Sequence, residues 1–198
     1  MGDRGWVVAG LGNPGSRYAG TRHNAGFLLV EALAQSLAPQ ARWRAQFKAE
    51  TVSVSVGSAS ALLIKPQTFM NLSGESVQEC LAFQKIDPAH LIVVHDEIDL
   101  PFGTLRIKKG GGSGGHNGLK SITEMLSNPD YFRIRLGVGR PEEGAVDSTA
   151  RHQDVSSYVL SPFSSEERRA LDEFLRRGVM ALETLVSSGL TEAQRLFH

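Results

Sequence analysis

Four apolar residues, Trp6 to Ala9, run straight into a loop that carries Gly10, Gly12 and Gly15 in VVAGLGNPG. A run this short, with no polar alternation, reads as a strand buried on both faces, and such a strand needs helices on both sides of its sheet. The rest of the chain supplies them. AGFLLVEALAQSLA has helical spacing, FKAETVSVSVGS alternates as a half-buried strand, ALLIKP reads as a buried strand and SGESVQECLAFQKI as a helix. LIVVHDEIDLP is an apolar strand ending in carboxylates; TLRIKK, GGGSGGHNG, GLKSITEML and YFRIRLGVGR then read as strand, loop, helix and strand. In the tail, Ser164 stands three residues before Glu167 as in a capping box, and Leu171, Phe174, Leu175, Val179, Leu182 and Val186 share one helical stripe. With 198 residues and no Gly/Ser/Pro linker, residues 1–198 read as one α/β domain. The expected architecture is a single-domain three-layer α/β/α sandwich with a mixed, largely parallel central sheet, in which ligands sit beyond the carboxyl ends of the strands.

The glycine spacing G-x-G-x-x-G invites a dinucleotide reading. That fold needs a helix starting at the second or third glycine and an acid about 20 residues on, at the end of the second strand. Here Pro14, Gly15, Tyr18 and Gly20 delay the helix, Glu31 falls inside it, and ALLIKP ends on Lys65. Gly12 and Gly15 are expected as bends that present Asn13 and Tyr18 and lead into His23. The second glycine-rich stretch, KKGGGSGGHNGLKS, fails as a nucleotide-binding P-loop because His116 stands where the lysine belongs. A helix starting near Gly118 would still point free amides at an anion, and Arg106, Lys108, Lys109 and Lys120 flank it, so a phosphodiester fits. A flexible surface loop with Asn117 as helix N-cap is the other reading.

Charge allows a local anionic partner and equally a solvated surface. Residues 101–140 hold seven Lys and Arg against two Asp and Glu, whereas residues 141–198 hold six against ten, within a chain of zero formal net charge. The one cysteine, Cys80, lies at helical spacing with Val77, Leu81 and Phe83 and reads as a core thiol in preference to a nucleophile. No signal-length apolar stretch precedes the first strand and no 18 apolar residues run together, so the expectation is a cytoplasmic protein with no membrane attachment.

Polar residues collect after the strands: Asn13, Tyr18 and His23 after the first, Asn71 after ALLIKP, Asp96 after LIVV, and His116 and Asn117 after TLRIKK. If they share one rim, they offer an imidazole, a carboxylate to orient it and several amides, without a Ser or Cys nucleophile. That set suits hydrolysis by activated water, with His taking the proton and amides holding the oxyanion. Asp96, Glu97 and Asp99 could instead ligate a metal, but neighbours on a strand point to opposite faces, which leaves one carboxylate and at most Asp99 in the cleft. Singly, each residue has a plainer explanation: a strand-end Asp forms turns, and Asn71 could serve the start of the next helix.

Taken together the stretches GLGNPGSRYAGTRHNAGF, KPQTFMNLSGES, VVHDEIDLPFGTLRIKKGGGSGGHNGLKSI and FRIRLGVGRP resemble, in order and spacing, the bacterial peptidyl-tRNA hydrolase family, from about residue 6 to residue 175. The resemblance implies a monomeric cytoplasmic enzyme, without metal or cofactor and without an obligate protein partner, that cleaves the ester between a stalled peptide and tRNA. It implies that His23 is the general base, that Asp96 holds and polarises it, and that Asn13 contacts the peptide and distinguishes N-blocked from free aminoacyl esters. By the same resemblance Phe69, Met70 and Asn71 line the site around the ester and terminal nucleotide, and Tyr18 lies on the tRNA side. Asn117 binds substrate or orients water beside His116, and Lys108 and Arg135 clamp a phosphate.

The polar segment EEGAVDSTARHQDVSS, residues 142–157, looks longer than its counterpart in the family and is expected as a surface loop. The alternative function is a non-catalytic RNA-binding protein of the same fold, as in plant organelle splicing factors. Loss of the His, Asp or Asn set would favour it, and all are present.

Overall fold

The computed structural model describes residues 5–141 and 151–198. Seven strands form one sheet: β1 (Trp6–Gly10), β2 (Arg44–Gln46), β3 (Ala49–Val56), β4 (Ala59–Pro66), β5 (Leu91–Glu97), β6 (Leu105–Lys109) and β7 (Phe132–Gly137), in the order β2-β3-β4-β1-β5-β7-β6. The central four, β4, β1, β5 and β7, are parallel, while β2, β3 and β6 join antiparallel at the two sides. The sheet is thus less parallel than the alternation of strands and helices implies. The tight link Gly57–Ser58 allows β3 and β4 to pair as a hairpin, and β6, which runs opposite to β5, takes the edge of the sheet beside β7.

Helices α1 (Ala25–Leu37) and α5 (Ser165–Phe197) cover one face, and α2 (Ser73–Gln84) and α3 (Asn117–Leu126) the other; α4 (Arg151–Val159) precedes α5. The three-layer expectation holds. On α1, Leu29, Val30 and Leu33 are fully buried, each worth about 1.5–3 kcal/mol of apolar burial. The helix comes unusually close to the sheet because Gly10 and Gly26 face each other: a Cβ on Gly26 would lie 2.3 Å from the Val94 carbonyl oxygen, and one on Gly10 would lie 2.4 Å from that of Gly26. Gly12 is not the expected bend; its missing side chain makes room for the Phe27 ring, and only Gly15 has a positive φ.

Ser164 and Glu167 form the expected capping box at the start of α5, whose stripe lies on the core, although a non-helical Gly189 interrupts the helix near its end. Cys80 is buried, and burial pushes its thiol up to about 12, which removes it as a nucleophile. The segment read as a surface loop is in part helical, since α4 takes Arg151–Val159, while residues 142–150 lie outside the described ones. Among the described residues no helix is long and apolar enough to cross a membrane.

Candidate active site

The link from β1 to α1 closes on itself before it reaches the helix. Thr21 donates its hydroxyl and its backbone N–H to the Tyr18 carbonyl, and a single 3-10 turn, Arg22–Asn24, then sets three side chains in three directions. Asn24 turns inward: its Oδ1 accepts from the Asn13 N–H at 2.9 Å and its amide donates to the Asn13 carbonyl at 3.0 Å. His23 points across the end of β1 to β5, where its Nδ1 lies 3.0 Å from both carboxylate oxygens of Asp96. Asp96 is 3% exposed. It also accepts from His116 Nε2 at 2.9 Å, so one carboxylate holds two imidazoles, whose rings sit 5.0 Å apart.

The protons can be placed from these contacts. His116, and not Asn117, is the N-cap of α3: its Nδ1 accepts the backbone N–H groups of Gly118 and Leu119 at 3.2 and 3.4 Å. A ring nitrogen that accepts carries no proton, so Nε2 holds it and donates to Asp96. The amides expected to face a ligand from this helix start are therefore already occupied. His23 donates from Nδ1 to the same carboxylate, which leaves its Nε2 with the lone pair. Burial alone would lower the His23 pKa, but the charge and hydrogen bond of Asp96 outweigh it and raise it above its ordinary value. Burial would likewise raise Asp96, yet the two imidazoles hold its carboxyl well below the usual range. Behind them His95, fully buried, donates from Nδ1 to the Asp96 carbonyl and packs edge-on against His116; burial and His116 bring it down to about 3, so it stays neutral.

His23, Asp96 and His116 are, among the described residues, the one group whose ligand atoms lie close enough to share a metal ion, within 4.8 Å of one another. The group fits a metal poorly. A neutral histidine that binds through Nε2 must carry its proton on Nδ1, and that atom of His116 faces two backbone N–H donors. The other carboxylates of HDEID are separately engaged, Glu97 with Arg135 at 3.0 Å and Asp99 with Arg140.

Asn13, 8% exposed, has a fixed amide. Its Oδ1 accepts the Met70 N–H at 2.8 Å, which joins the β1 loop to the 3-10 turn Met70–Leu72 and leaves Nδ2 without a partner among the described residues. Met70 is buried against the Cα of Gly118, where a Cβ would lie 2.6 Å from its sulfur. Next to it, Phe69 and Asn71 are exposed, as is Asn117 in the first turn of α3. Tyr18 is half-buried, with the Arg17 guanidinium over its ring. The first strand loop, the segment after β4, the end of β5 and the start of α3 thus meet at one rim.

His116 reaches that rim by an unexpected route. Because β6 is antiparallel, Lys109 pairs with Phe132, four residues down the sheet from the level of Asp96, or roughly 13 Å. The glycine loop climbs back along the sheet, with Gly110, Gly111, Gly114 and Gly115 at positive φ. Arg133, 1% exposed, holds the carbonyls of Gly111 and Gly112 from below. Period-2 alternation puts Arg106, Lys108, Arg133 and Arg135 on one face of β6 and β7, with Ile107 and Ile134 in the core on the other. Burial, then Arg133 and Arg135, hold Lys108 below the usual lysine range.

Sequence reading singled out neither Asn24, His95, Arg133 nor Arg22. Asn24 stands beside His23 and His95 beside Asp96, but nothing in their spacing signals a partner; Arg22 and Arg133 are charged residues whose burial only the fold creates.

Compared with known proteins, residues 7–198 match the family model described as peptidyl-tRNA hydrolase. The chain is 44% identical to the peptidyl-tRNA hydrolase of Frankia alni over 99% of its own length and 95% of that protein's. It is 47% identical to that of Trichlorobacter lovleyi over 97% and 94%. The crystal structure of peptidyl-tRNA hydrolase from Acinetobacter baumannii superposes with a TM-score of 0.87 at 34% identity, covering 98% of this chain and 95% of that one.

Proposed function

The chain belongs to the peptidyl-tRNA hydrolase family, enzymes that hydrolyse peptidyl-tRNA, and from that premise we propose that His23 is the general base for cleavage of the ester between peptide and ribose. The observation that carries the reading is the hydrogen bond from His23 Nδ1 to Asp96, which leaves Nε2 as the proton acceptor. Water gives a proton to Nε2 while its oxygen attacks the ester carbonyl. Asp96 stabilises the imidazolium so formed, and when the tetrahedral intermediate collapses the same proton passes to the departing ribose oxygen.

Asn71 donates its amide to the oxyanion, and Asn117 orients the water beside His116. The Nδ2 of Asn13 suits the amide carbonyl of an N-blocked aminoacyl group; a free ammonium offers only donors and is refused there. Phe69 and Met70 flank the ester, Tyr18 lies toward the tRNA, and Lys108 with Arg135 takes up a backbone phosphate, supported by the crowding of cations on that face. The protein acts as a cytoplasmic monomer without a cofactor. Incubation with N-acetyl-aminoacyl-tRNA and with its free-amine counterpart, with and without chelator, tests the reading. Cleavage of the first only, indifferent to chelator, is expected; equal cleavage of both would refute it.

Two further results are expected. Because His23 must be unprotonated to work and its pKa is raised, kcat/KM should fall tenfold per pH unit below an apparent pKa above the ordinary 6.5. An acid limb centred below pH 6 contradicts this. Replacing Asn71 by Ala removes one oxyanion donor, worth about 3 kcal/mol, so single-turnover rates should drop on the order of 100-fold. Because Asn71 is exposed and has no side-chain hydrogen bond among the described residues, its melting temperature should not move.

A further inference from the structure

We propose that Arg22 is a positioning residue for the reaction, and that through it the corner between α4 and α5 sets the place of the catalytic imidazole; the inference rests on His23 being the base. Arg22 directly precedes His23, and its guanidinium is clasped by one stretch of the tail. It donates to Glu167 through Nε at 3.4 Å and through Nη2 at 2.6 Å, and through Nη1 to Ser161 Oγ at 2.6 Å and the Pro162 carbonyl at 2.8 Å. The Tyr158 ring covers it at 4.2 Å.

Glu167 does not move freely to meet it, because the same carboxylate closes the capping box of α5 by accepting the Ser164 N–H at 2.6 Å. The backbone follows the side chain: Thr21 bridges to Pro162 and the Arg22 N–H donates to the Ser161 carbonyl at 3.2 Å. Three consecutive residues therefore anchor one 3-10 turn in three directions, Arg22 to the tail, His23 to β5 and Asn24 to the Asn13 loop. The turn has no side-chain cap of its own, so these anchors fix its orientation. Guanidinium geometry matters here: lysine supplies the charge and three donors, but from a single nitrogen, and cannot reach Glu167 on one side and Ser161 and Pro162 on the other as the planar fork does through Nε, Nη2 and Nη1.

Arg22 is 7% exposed and the Glu167 side chain 14%, so the substrate does not touch this pair. Its influence must pass through the turn. A displacement on the order of 1 Å at the reacting group costs about 100-fold in rate without loss of binding.

The test compares Arg22→Lys, Arg22→Met and Glu167→Gln with the parent and with His23→Ala, on N-acetyl-aminoacyl-tRNA. Expected is a kcat lower by ten- to a hundredfold in Arg22→Met, with KM within twofold. Arg22→Lys should recover only part of it, and Glu167→Gln should fall between. The His23 Nδ1 proton, read by NMR of the resting enzyme as a downfield resonance, should shift or broaden in Arg22→Met. Unchanged kcat and an unchanged resonance in a variant whose melting temperature has dropped would overturn the proposal and leave the pair as a fold brace. A fall in kcat that Arg22→Lys restores in full would also overturn it, because charge alone would then suffice. Parent turnover in His23→Ala would overturn the base assignment itself, and this inference with it.

Discussion

Asp96→Asn is expected to reduce turnover by about 10⁴-fold, the cost of losing the orienting carboxylate in a His-based triad. The asparagine has one acceptor oxygen and one amide donor to offer two imidazoles. His116 is fixed as a donor because its Nδ1 caps α3, so the oxygen goes to His116 and the amide NH2 is left facing His23. That NH2 takes the place of Oδ2, 3.0 Å from His23 Nδ1, and opposes a proton there, which favours the tautomer protonated on Nε2, the one that cannot take a proton from water. The loss is therefore one of chemistry and not of fold or binding. KM should change little, and NMR of ring-labelled histidine should show the proton on Nε2 of His23. A variant that keeps the Nδ1–H tautomer and still loses activity would show that Asp96 acts through its charge alone.

His23→Ala should lower turnover by 10²- to 10⁴-fold, the range contributed by a positioned general base, and the protein should still fold. Asp96 keeps His116 as a donor, so the carboxylate is not stranded. The hydrogen bond to a charged acceptor that disappears is worth about 1.5–3 kcal/mol, which corresponds to a melting temperature lower by roughly 4–10 °C in a chain of this size. Substrate binding should persist, since the residue touches neither the phosphate face nor the peptide donor Asn13. Turnover equal to the parent's would reject the mechanism.

The order of elements and the stripe on α5 were readable from the chain because each depends on local spacing, with period 2 or 3.6 visible in the residues themselves. The same holds for Cys80, whose helical neighbours Val77 and Leu81 place it in the core. Local spacing failed where partners lie far apart in sequence. Nothing in TLRIKK shows that β6 runs antiparallel to β7, so the route of the glycine loop, and the need for Arg133 beneath it, were invisible. Nothing in the polar stretch RHQDVSS marks a helix either: side chains that seat α4, such as Tyr158 on Arg22 and on the Val138 carbonyl, find their use only against the folded turn.

Of the site, the sequence could name the residue types and the strand ends that carry them. It could pair His23 with Asp96 only by resemblance, because 73 residues separate them and no spacing rule spans that gap. Which nitrogen of His23 is free, and why His116 cannot exchange roles with it, was decided by tertiary structure alone. Tautomers follow from hydrogen bonds, and the bonds that fix these two run to a carboxylate on another strand and to the first amides of a helix, contacts that exist once the sheet has assembled.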